Sequence, residues 1–250
     1  MLTLQDLHVS FHGTRVLQGV TFSVTHGETV GIIGPNGCGK TTLFNCISGF
    51  VDASSGTLTF QNKDISRLPP HQRAQSGLGR VFQNFGIFRE MTLLENLLIA
   101  IEAKRGAANP LFPWSKRAKK NEALALSYLN EVGLAEKARS KASSLSGGQM
   151  RLLEITRTLA VGADLFLLDE PTAGVSPKMK EDVVAIIKRL QTLGKTILII
   201  EHDITFIQKF CSRVIVLNEG RVVLDDIPER VRADERLKDI YFGRDEERVT

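Results

Sequence analysis

Thr29-Val30-Gly31-Ile32-Ile33-Gly34-Pro35-Asn36-Gly37-Cys38-Gly39-Lys40-Thr41-Thr42 is the stretch that decides the fold. Its first five residues are an apolar run of strand length, and a helix-forming stretch begins at Thr41. Between them, Gly34 to Thr41 fits the pattern G-x-x-x-x-G-K-[ST] at every specified position. The glycines let backbone N–H groups turn toward one anion, which a loop of larger residues could not do without strain. Asn36, Gly37, Cys38, Gly39, Lys40, Thr41 and Thr42 are therefore the candidate phosphate-binding residues. Lys40 can reach the β- and γ-phosphates of a nucleotide, and the Thr41 hydroxyl can ligate Mg²⁺.

Outward from this loop the hydrophobic pattern alternates between strand and helix. Leu2, Leu4, Leu7, Val9 and Phe11 are spaced apolar positions before it, and Val20, Phe22 and Val24 alternate with polar residues. From Thr92 to about Thr158 the pattern is helical, with Leu93, Leu97 and Ala100 on one face. Leu124, Leu129 and Val132 are expected to share another face, and Leu152, Ile155 and Leu159 a third. Strands are expected at 165–168 and 196–200, with a helix between them that carries Val183, Val184, Ile186, Ile187 and Leu190 on one stripe. Arg213 to Asp225 reads as a hairpin around Asn218-Glu219-Gly220, and the charged tail from Pro228 as short helix. Strands alternating with helices imply an α/β fold with a parallel sheet, and the helical middle is then an inserted lobe.

At 250 residues and 42% hydrophobic, the chain can bury a full core and form one bilobed domain. No run approaches the roughly 20 apolar residues needed to span a bilayer, and the N-terminus carries no pattern of a secretory leader. Three cysteines, Cys38, Cys46 and Cys211, lack metal-binding spacing and fit a reducing compartment. Cys38, inside the phosphate loop, is expected to be open to alkylation. The net charge of +4 is too small to point to nucleic acid, and no basic–aromatic interleaving accompanies it. Lys104, Arg105, Lys116, Arg117, Lys119 and Lys120 surround Asn109-Pro110-Leu111-Phe112-Pro113-Trp114. They read as a solvated loop and helix start, with contact to anionic lipid headgroups or a membrane partner as the alternative.

Two further segments carry chemistry. Leu165-Phe166-Leu167-Leu168-Asp169-Glu170 is a buried strand ending in two acids, at the sheet edge where open α/β folds bind ligands. Asp169 is placed to hold Mg²⁺, and Glu170 to orient or deprotonate an attacking water. Leu145-Ser146-Gly147-Gly148-Gln149 precedes a helical run from Met150 to Ala160. Ser146 can cap that helix, and the glycines leave its first amides uncovered, which makes a second anion site.

With these segments in place, the chain resembles the nucleotide-binding ATPase subunits of ATP-binding cassette (ABC) transporters over essentially its whole length. The series is complete: the phosphate loop, Gln83 after Val81-Phe82, the signature at 145–149, Asp169-Glu170, and His202 after Ile199-Ile200-Glu201. The resemblance implies an α/β P-loop NTPase (RecA-like) core over 1–83 and 160–250, with an N-terminal antiparallel β subdomain and an inserted α-helical lobe over 84–159. It implies ATP and Mg²⁺ as cofactors, with Thr41, Gln83 and Asp169 around the metal. It implies that Lys40, Gln83, Glu170 and His202 take part in catalysis, His202 at the γ-phosphate. Phe11 lies where the family stacks an aromatic ring on adenine, with Val16 packing beside it. In the family two such domains pair head to tail, so that Ser146, Gly147, Gly148 and Gln149 of one close over the ATP of the other.

Phe82-Gln83-Asn84-Phe85-Gly86-Ile87-Phe88-Arg89-Glu90-Met91-Thr92 and Phe44-Asn45-Cys46-Ile47-Ser48-Gly49-Phe50 are similar to the ATPases of branched-chain amino acid importers. The implied partners are a second ABC ATPase, itself or a paralogue, and membrane permeases contacting about Asn84–Glu90 through Phe85, Ile87 and Phe88. A solute-binding protein acts indirectly, no nucleic acid is involved, and the location is the cytoplasmic face of the membrane. The chain departs from the common family pattern at Ser176, where many members carry Asp. Urea or amide import and lipopolysaccharide or lipid export are the alternatives within the family, and Ile240-Tyr241-Phe242-Gly243 is similar to lipid-export ATPases. A soluble ABC protein acting on DNA or ribosomes would need a coiled coil or a second cassette. A small-molecule kinase would not explain the signature, and a GTPase would need an Asn-Lys-x-Asp motif.

Overall fold

The computed structural model describes residues 1–82, 86–103 and 116–242, with side chains for all of these except Lys116, Lys238, Tyr241 and Phe242. Strands β1 (Leu2–Phe11) and β2 (Thr14–Val24) form a hairpin through His12-Gly13, both at positive φ. That geometry matches the twist of the flanking strands. The apolar positions of β1 skip from Leu4 to Leu7 because the pairing shifts register there, with Asp6 at φ 49°. The bulge keeps Leu2, Leu4, Leu7 and Val9 on the buried face. Phe11, the last of the series, is instead 43% exposed.

The chain continues through β3 (Thr29–Ile33), α1 (Lys40–Ser48), β4 (Ser55–Phe60), β5 (Lys63–Asp64), α2 (Pro70–Gln75) and β6 (Leu78–Val81). Helices α3 (Leu93–Ala103), α4 (Lys116–Glu131) and α5 (Gly147–Val161) follow. The last third contains β7 (Leu165–Asp169), α6 (Pro177–Thr192), β8 (Thr196–Ile200), α7 (Ile204–Phe210), β9 (Arg213–Asn218), β10 (Arg221–Asp226), α8 (Pro228–Ala233) and α9 (Glu235–Phe242). Among the described residues the strands form two sheets. One is antiparallel in the order β2-β1-β4-β5, and the other has the order β10-β9-β3-β8-β7-β6. In the second sheet every pairing is parallel except that of β10 with β9. This is the α/β P-loop NTPase architecture, and the predicted hairpin at 218–220 is the turn between β9 and β10, with Glu219 and Gly220 at positive φ.

The central strands are wholly buried, and their alternate side chains enter two different cores. Leu165, Leu167, Leu198, Ile200, Ile215 and Leu217 pack with α1 and the antiparallel sheet. Phe166, Leu168, Ile197, Ile199, Val214 and Val216 pack with α3, α5, α6 and α7. A strand buried on both faces reads as a continuous apolar run, so period-2 alternation is hidden in its sequence.

One expected helix face is wrong. On α4, Leu124 is 37% exposed, and Ala125 and Leu129 are the buried positions. Residues 125 and 129 are four apart and lie one above the other on a helix, whereas 124 and 129 do not.

A buried arginine ties α1 to the turn before α2. Arg73 donates from Nη1 to the carbonyls of Cys46 (2.6 Å) and Ile47 (2.9 Å), from Nη2 to Ser66 O (3.0 Å) and from Nε to Leu68 O (2.7 Å). Two of these carbonyls belong to the last turn of α1, where the helix cannot satisfy them itself. A cation at a helix C-terminus also meets the favourable end of its dipole.

Candidate functional site

Two glycines of the phosphate loop, Gly34 and Gly39, sit where neighbours leave no room for a side chain, whereas a Cβ on Gly37 would meet nothing within 4 Å. A Cβ on Gly34 would lie 2.0 Å from Leu217 O, and one on Gly39 would lie 2.9 Å from Leu17 Cδ2 and 3.1 Å from Val16 O. Gly39, at φ 108°, opens α1. The carbonyl of Cys38 accepts from Gly220 N–H at 3.0 Å, so the β9–β10 turn grips the loop from below. Lys40 is buried and lies back along the loop, donating to Gly34 O at 2.7 Å and Pro35 O at 2.9 Å. Asn36, Gly37 and Thr41 face solvent, and Thr42 is half-buried. Cys38 does not match its expected openness: it is only 5% exposed, and burial pushes its thiol above the ordinary range.

Asp169 ends β7 on the edge of the parallel sheet. Its Oδ2 accepts from Arg80 Nη2 at 3.2 Å, and both side chains are almost fully enclosed. Burial pushes the Asp169 carboxyl up, against the opposing pull of the Arg80 guanidinium. Arg80 comes from the neighbouring strand β6, and its Nη1 also donates to Asn45 Oδ1 (2.6 Å) and Ser48 Oγ (2.9 Å) on α1.

Glu170 follows at φ 46°, a left-handed conformation that costs energy in a non-glycine residue and is held here by Glu170 N–H bonding to Ile200 O at 3.0 Å. Its Oε1 lies 2.9 Å from His202 Nε2, so two predicted residues 32 positions apart meet beyond the ends of β7 and β8. Glu201 is buried behind them. Its Oε1 accepts from the Thr172 N–H (2.9 Å) and hydroxyl (2.7 Å), and its Oε2 accepts from His202 N–H at 3.3 Å. Glu201 thus ties the chain after Glu170 to His202.

The signature turn has a complete capping box at the start of α5. Gln149 N–H donates to Ser146 Oγ at 3.4 Å, and Ser146 N–H donates to Gln149 Oε1 at 3.3 Å. Lys137 Nζ also reaches Gln149 Oε1, at 3.1 Å. Its two glycines differ. A Cβ on Gly147 would meet nothing within 4 Å, whereas one on Gly148 would lie 2.1 Å from Met179 Cε of α6. Gly148 is therefore required by packing, and only Gly147 opens the helix start to solvent.

Two turns along α5, Glu154 Oε1 accepts from both Phe82 N–H (3.2 Å) and Gly86 N–H (3.1 Å). Arg151 Nη1 donates to Phe82 O and, at 3.1 Å, to Glu154 Oε2. These bonds hold the backbone at Phe82 and Gly86. Gln83, Asn84, Phe85, the Pro/Trp segment at 109–114 and Gly243 lie outside the described residues. Ile87, expected at a docking surface, instead packs into the core, while Phe88 is 47% exposed beneath the Arg157 guanidinium, 5.0 Å from the ring centroid.

The sequence model of the ABC transporter family matches residues 17–173. The chain belongs to that family and is an ATP-binding subunit, an ATPase. The branched-chain amino acid transport ATP-binding protein LivG of Salmonella typhimurium is 37% identical over 97% of this chain and 98% of its own length. BraF of Pseudomonas aeruginosa, named for the same transport, is 36% identical over 97% and 98%. The lipopolysaccharide export ATP-binding protein LptB of Haemophilus influenzae is 35% identical over 97% of each chain. Among solved structures, a nucleotide-free ATP-binding cassette of an ABC transporter superposes with a TM-score of 0.83 at 34% identity, covering 97% of this chain and 99% of its own. The dimeric bacterial cassette MJ0796 superposes with a TM-score of 0.78 at 28% identity, over 91% and 99%.

In this ABC ATPase the residues that sequence reading missed are Arg80, Glu154 and Glu201. Arg80 left one trace, a charged residue inside the short strand Leu78-Gly79-Arg80-Val81, where burial calls for a partner. Phe11 carries an exposed ring at the end of β1, and the Val16 backbone lies against the phosphate loop.

Proposed function

We propose that this ABC ATPase works at the cytoplasmic face of a membrane and drives uptake of branched-chain or other hydrophobic amino acids. The observation that carries its chemistry is the meeting of Glu170 and His202, 2.9 Å apart, at the sheet edge where Asp169 also ends. Lys40 and the loop amides hold the β- and γ-phosphates, and the exposed Phe11 stacks on adenine with Val16 beside it. Glu170 takes a proton from the attacking water as the new P–O bond forms, and the β–γ bridging bond breaks with its electrons on ADP. His202 holds the γ-phosphate and orients Glu170.

Mg²⁺ fits the donors present. Thr41 offers a hydroxyl oxygen and Asp169 a carboxylate, both of them hard donors. Mg²⁺ favours such sites, taking one or two protein oxygens and completing its shell with phosphates and water. When bound, it neutralises charge on the phosphate oxygens.

Family cassettes form dimers and work with permease components. We assign Ser146 to Gln149 to the ATP held by the facing subunit, with 84–159 as the lobe that carries them. A cavity of about 330 Å³ is lined by Phe50, Pro70, His71, Phe82 and Arg157, and Arg157 also lies over the Phe88 ring. This groove and the segment Asn84–Glu90 are assigned to a permease helix, with Gln83 linking them to the metal and water.

Glu170→Gln tests this reading. Turnover should fall about 10²–10⁴-fold, the usual range for a lost general base. ATP should still bind, and light scattering should show a dimer with ATP that ADP does not support. Undiminished hydrolysis would remove the role given to Glu170. LptB supports a second reading, lipopolysaccharide export. Loss of labelled leucine uptake on deleting the chain supports import, whereas intact uptake with failing lipopolysaccharide delivery supports export.

A further inference from the structure

Arg80 lies between the Asp169 carboxylate and the aromatic groove, touching both. On one side its Nη2 holds Asp169 Oδ2 at 3.2 Å. On the other, its guanidinium lies 4.8 Å from the centroid of the Phe82 ring and 6.0 Å from those of Phe44 and Phe50. Phe50 and Phe82 themselves meet edge to face at 5.5 Å, and both line the 330 Å³ groove, as does Arg80. Asn45 and Ser48, on the helix that begins at Lys40, hold the guanidinium through Nη1.

A planar cation suits this place for a physical reason. The guanidinium presents several N–H donors in a fixed fork and stacks its faces on aromatic rings, whereas a lysine ammonium is a point charge that cannot do both. Without Arg80, Asp169 would be a buried carboxylate that feels Arg151 through space and has lost the guanidinium bonded to its Oδ2. With Arg80 on Oδ2, the carboxylate has one defined orientation, set by β6 and by α1 together. The rings of Phe50 and Phe82 thus border both the groove and the guanidinium that bonds Asp169.

We propose that Arg80 is a positioning residue that orients Asp169 for the ATP-bound metal and makes that orientation responsive to what occupies the groove. This rests on the reading of Asp169 as a metal-holding group.

The test uses the full-length chain and Mn²⁺ binding measured by electron paramagnetic resonance with ATP present. Wild-type chain that gains no Mn²⁺ with ATP would defeat the reading of Asp169 itself. Given such binding, Arg80→Gln should weaken it by about 10–100-fold, the usual effect of losing a group that orients a metal ligand. Arg80→Lys should recover part of the loss. ATP affinity in EDTA should stay within about twofold, since the loop amides do not depend on the Arg80–Asp169 orientation, and kcat should fall more than KM rises. Phe82→Ala, which removes a ring from the guanidinium without touching Asp169, should weaken Mn²⁺ binding by a smaller factor in the same direction. Should Arg80→Gln fail to fold, Arg80→Lys carries the measurement alone. A lower melting temperature with unchanged Mn²⁺ affinity would make Arg80 merely structural and overturn the proposal. Unchanged affinity in Phe82→Ala would overturn the link to the groove.

Discussion

The phosphate loop and the signature turn both set glycines ahead of a helix, and each faces solvent on one side. At the loop, two glycines answer to the chain's own backbone, Gly34 under Leu217 O and Gly39 under Val16 O, while Gly37 is open and Lys40 is folded back onto Gly34 and Pro35. At the signature, Ser146 and Gly147 are exposed, the capping box is already closed, and nothing lies within 4 Å of where a Gly147 side chain would begin. The same residue type thus serves two ends. Gly34, Gly39 and Gly148 let the chain pack against itself; Gly37 and Gly147 leave open space.

The largest effect should come from separating the two turns between subunits. Lys40→Ala should abolish hydrolysis by crippling the loop. Gly147→Glu should lower it by about 10²-fold or more, because an acid replaces open space at an anion site. Mixing the two dead chains should restore activity, since one of the two shared sites in a mixed pair has an intact loop and an intact signature. No recovery in a mixture shown by light scattering to pair would break the shared-site assignment.

A smaller effect sharpens the packing contrast. Gly34→Ala should cost about 1–3 kcal/mol of unfolding free energy, as overpacking does. Gly147→Ala should stay within about 0.5 kcal/mol, as surface changes do. Urea denaturation of the two variants measures the difference, and equal midpoints would refute it.

The smallest effect is read by thiol labelling. Cys38, Cys46 and Cys211 are all buried, and burial pushes the last two up to about 11 and about 12. At pH 8 a maleimide should modify native chain slowly and reach all three thiols only in denaturant, because the thiolate is the reactive form. Ser146→Cys should label at once, at a cost of about 1 kcal/mol from the lost cap. Rapid native labelling of Cys38 would show that the loop is less closed than its packing implies.

What the sequence made legible was local. The loop, the Asp169-Glu170 pair, the signature and His202 are short contiguous patterns, and the apolar runs at 165–168 and 196–200 are the central parallel strands β7 and β8. What it hid depends on partners far along the chain. Arg80 and Asp169 are 89 positions apart, Glu154 and Phe82 72, and Glu201 and Thr172 29. No spacing rule links such residues before the strands are ordered. The outward turn of Leu124 was hidden for a different reason, because α4 buries small Ala125 in its place.

The ties that hold this molecule also differ in how they respond to acid. Arg213 grips Glu28 at 2.7 Å, and Thr25 donates to the same carboxylate from its N–H and its hydroxyl. Burial alone would raise Glu28, but the Thr25 and Arg213 bonds outweigh it and hold the group below its ordinary value. Its contribution is therefore present above the unfolded pKa and is lost as pH falls through the folded one. Arg73, by contrast, donates to the carbonyls of Cys46, Ile47, Ser66 and Leu68, none of which titrates, and the Asp52 and Asp64 carboxylates act on it only through space. The seam beneath the phosphate-loop helix thus keeps its hydrogen bonds in acid, and acid unfolding should open the Glu28–Arg213 edge while α1 is still fastened.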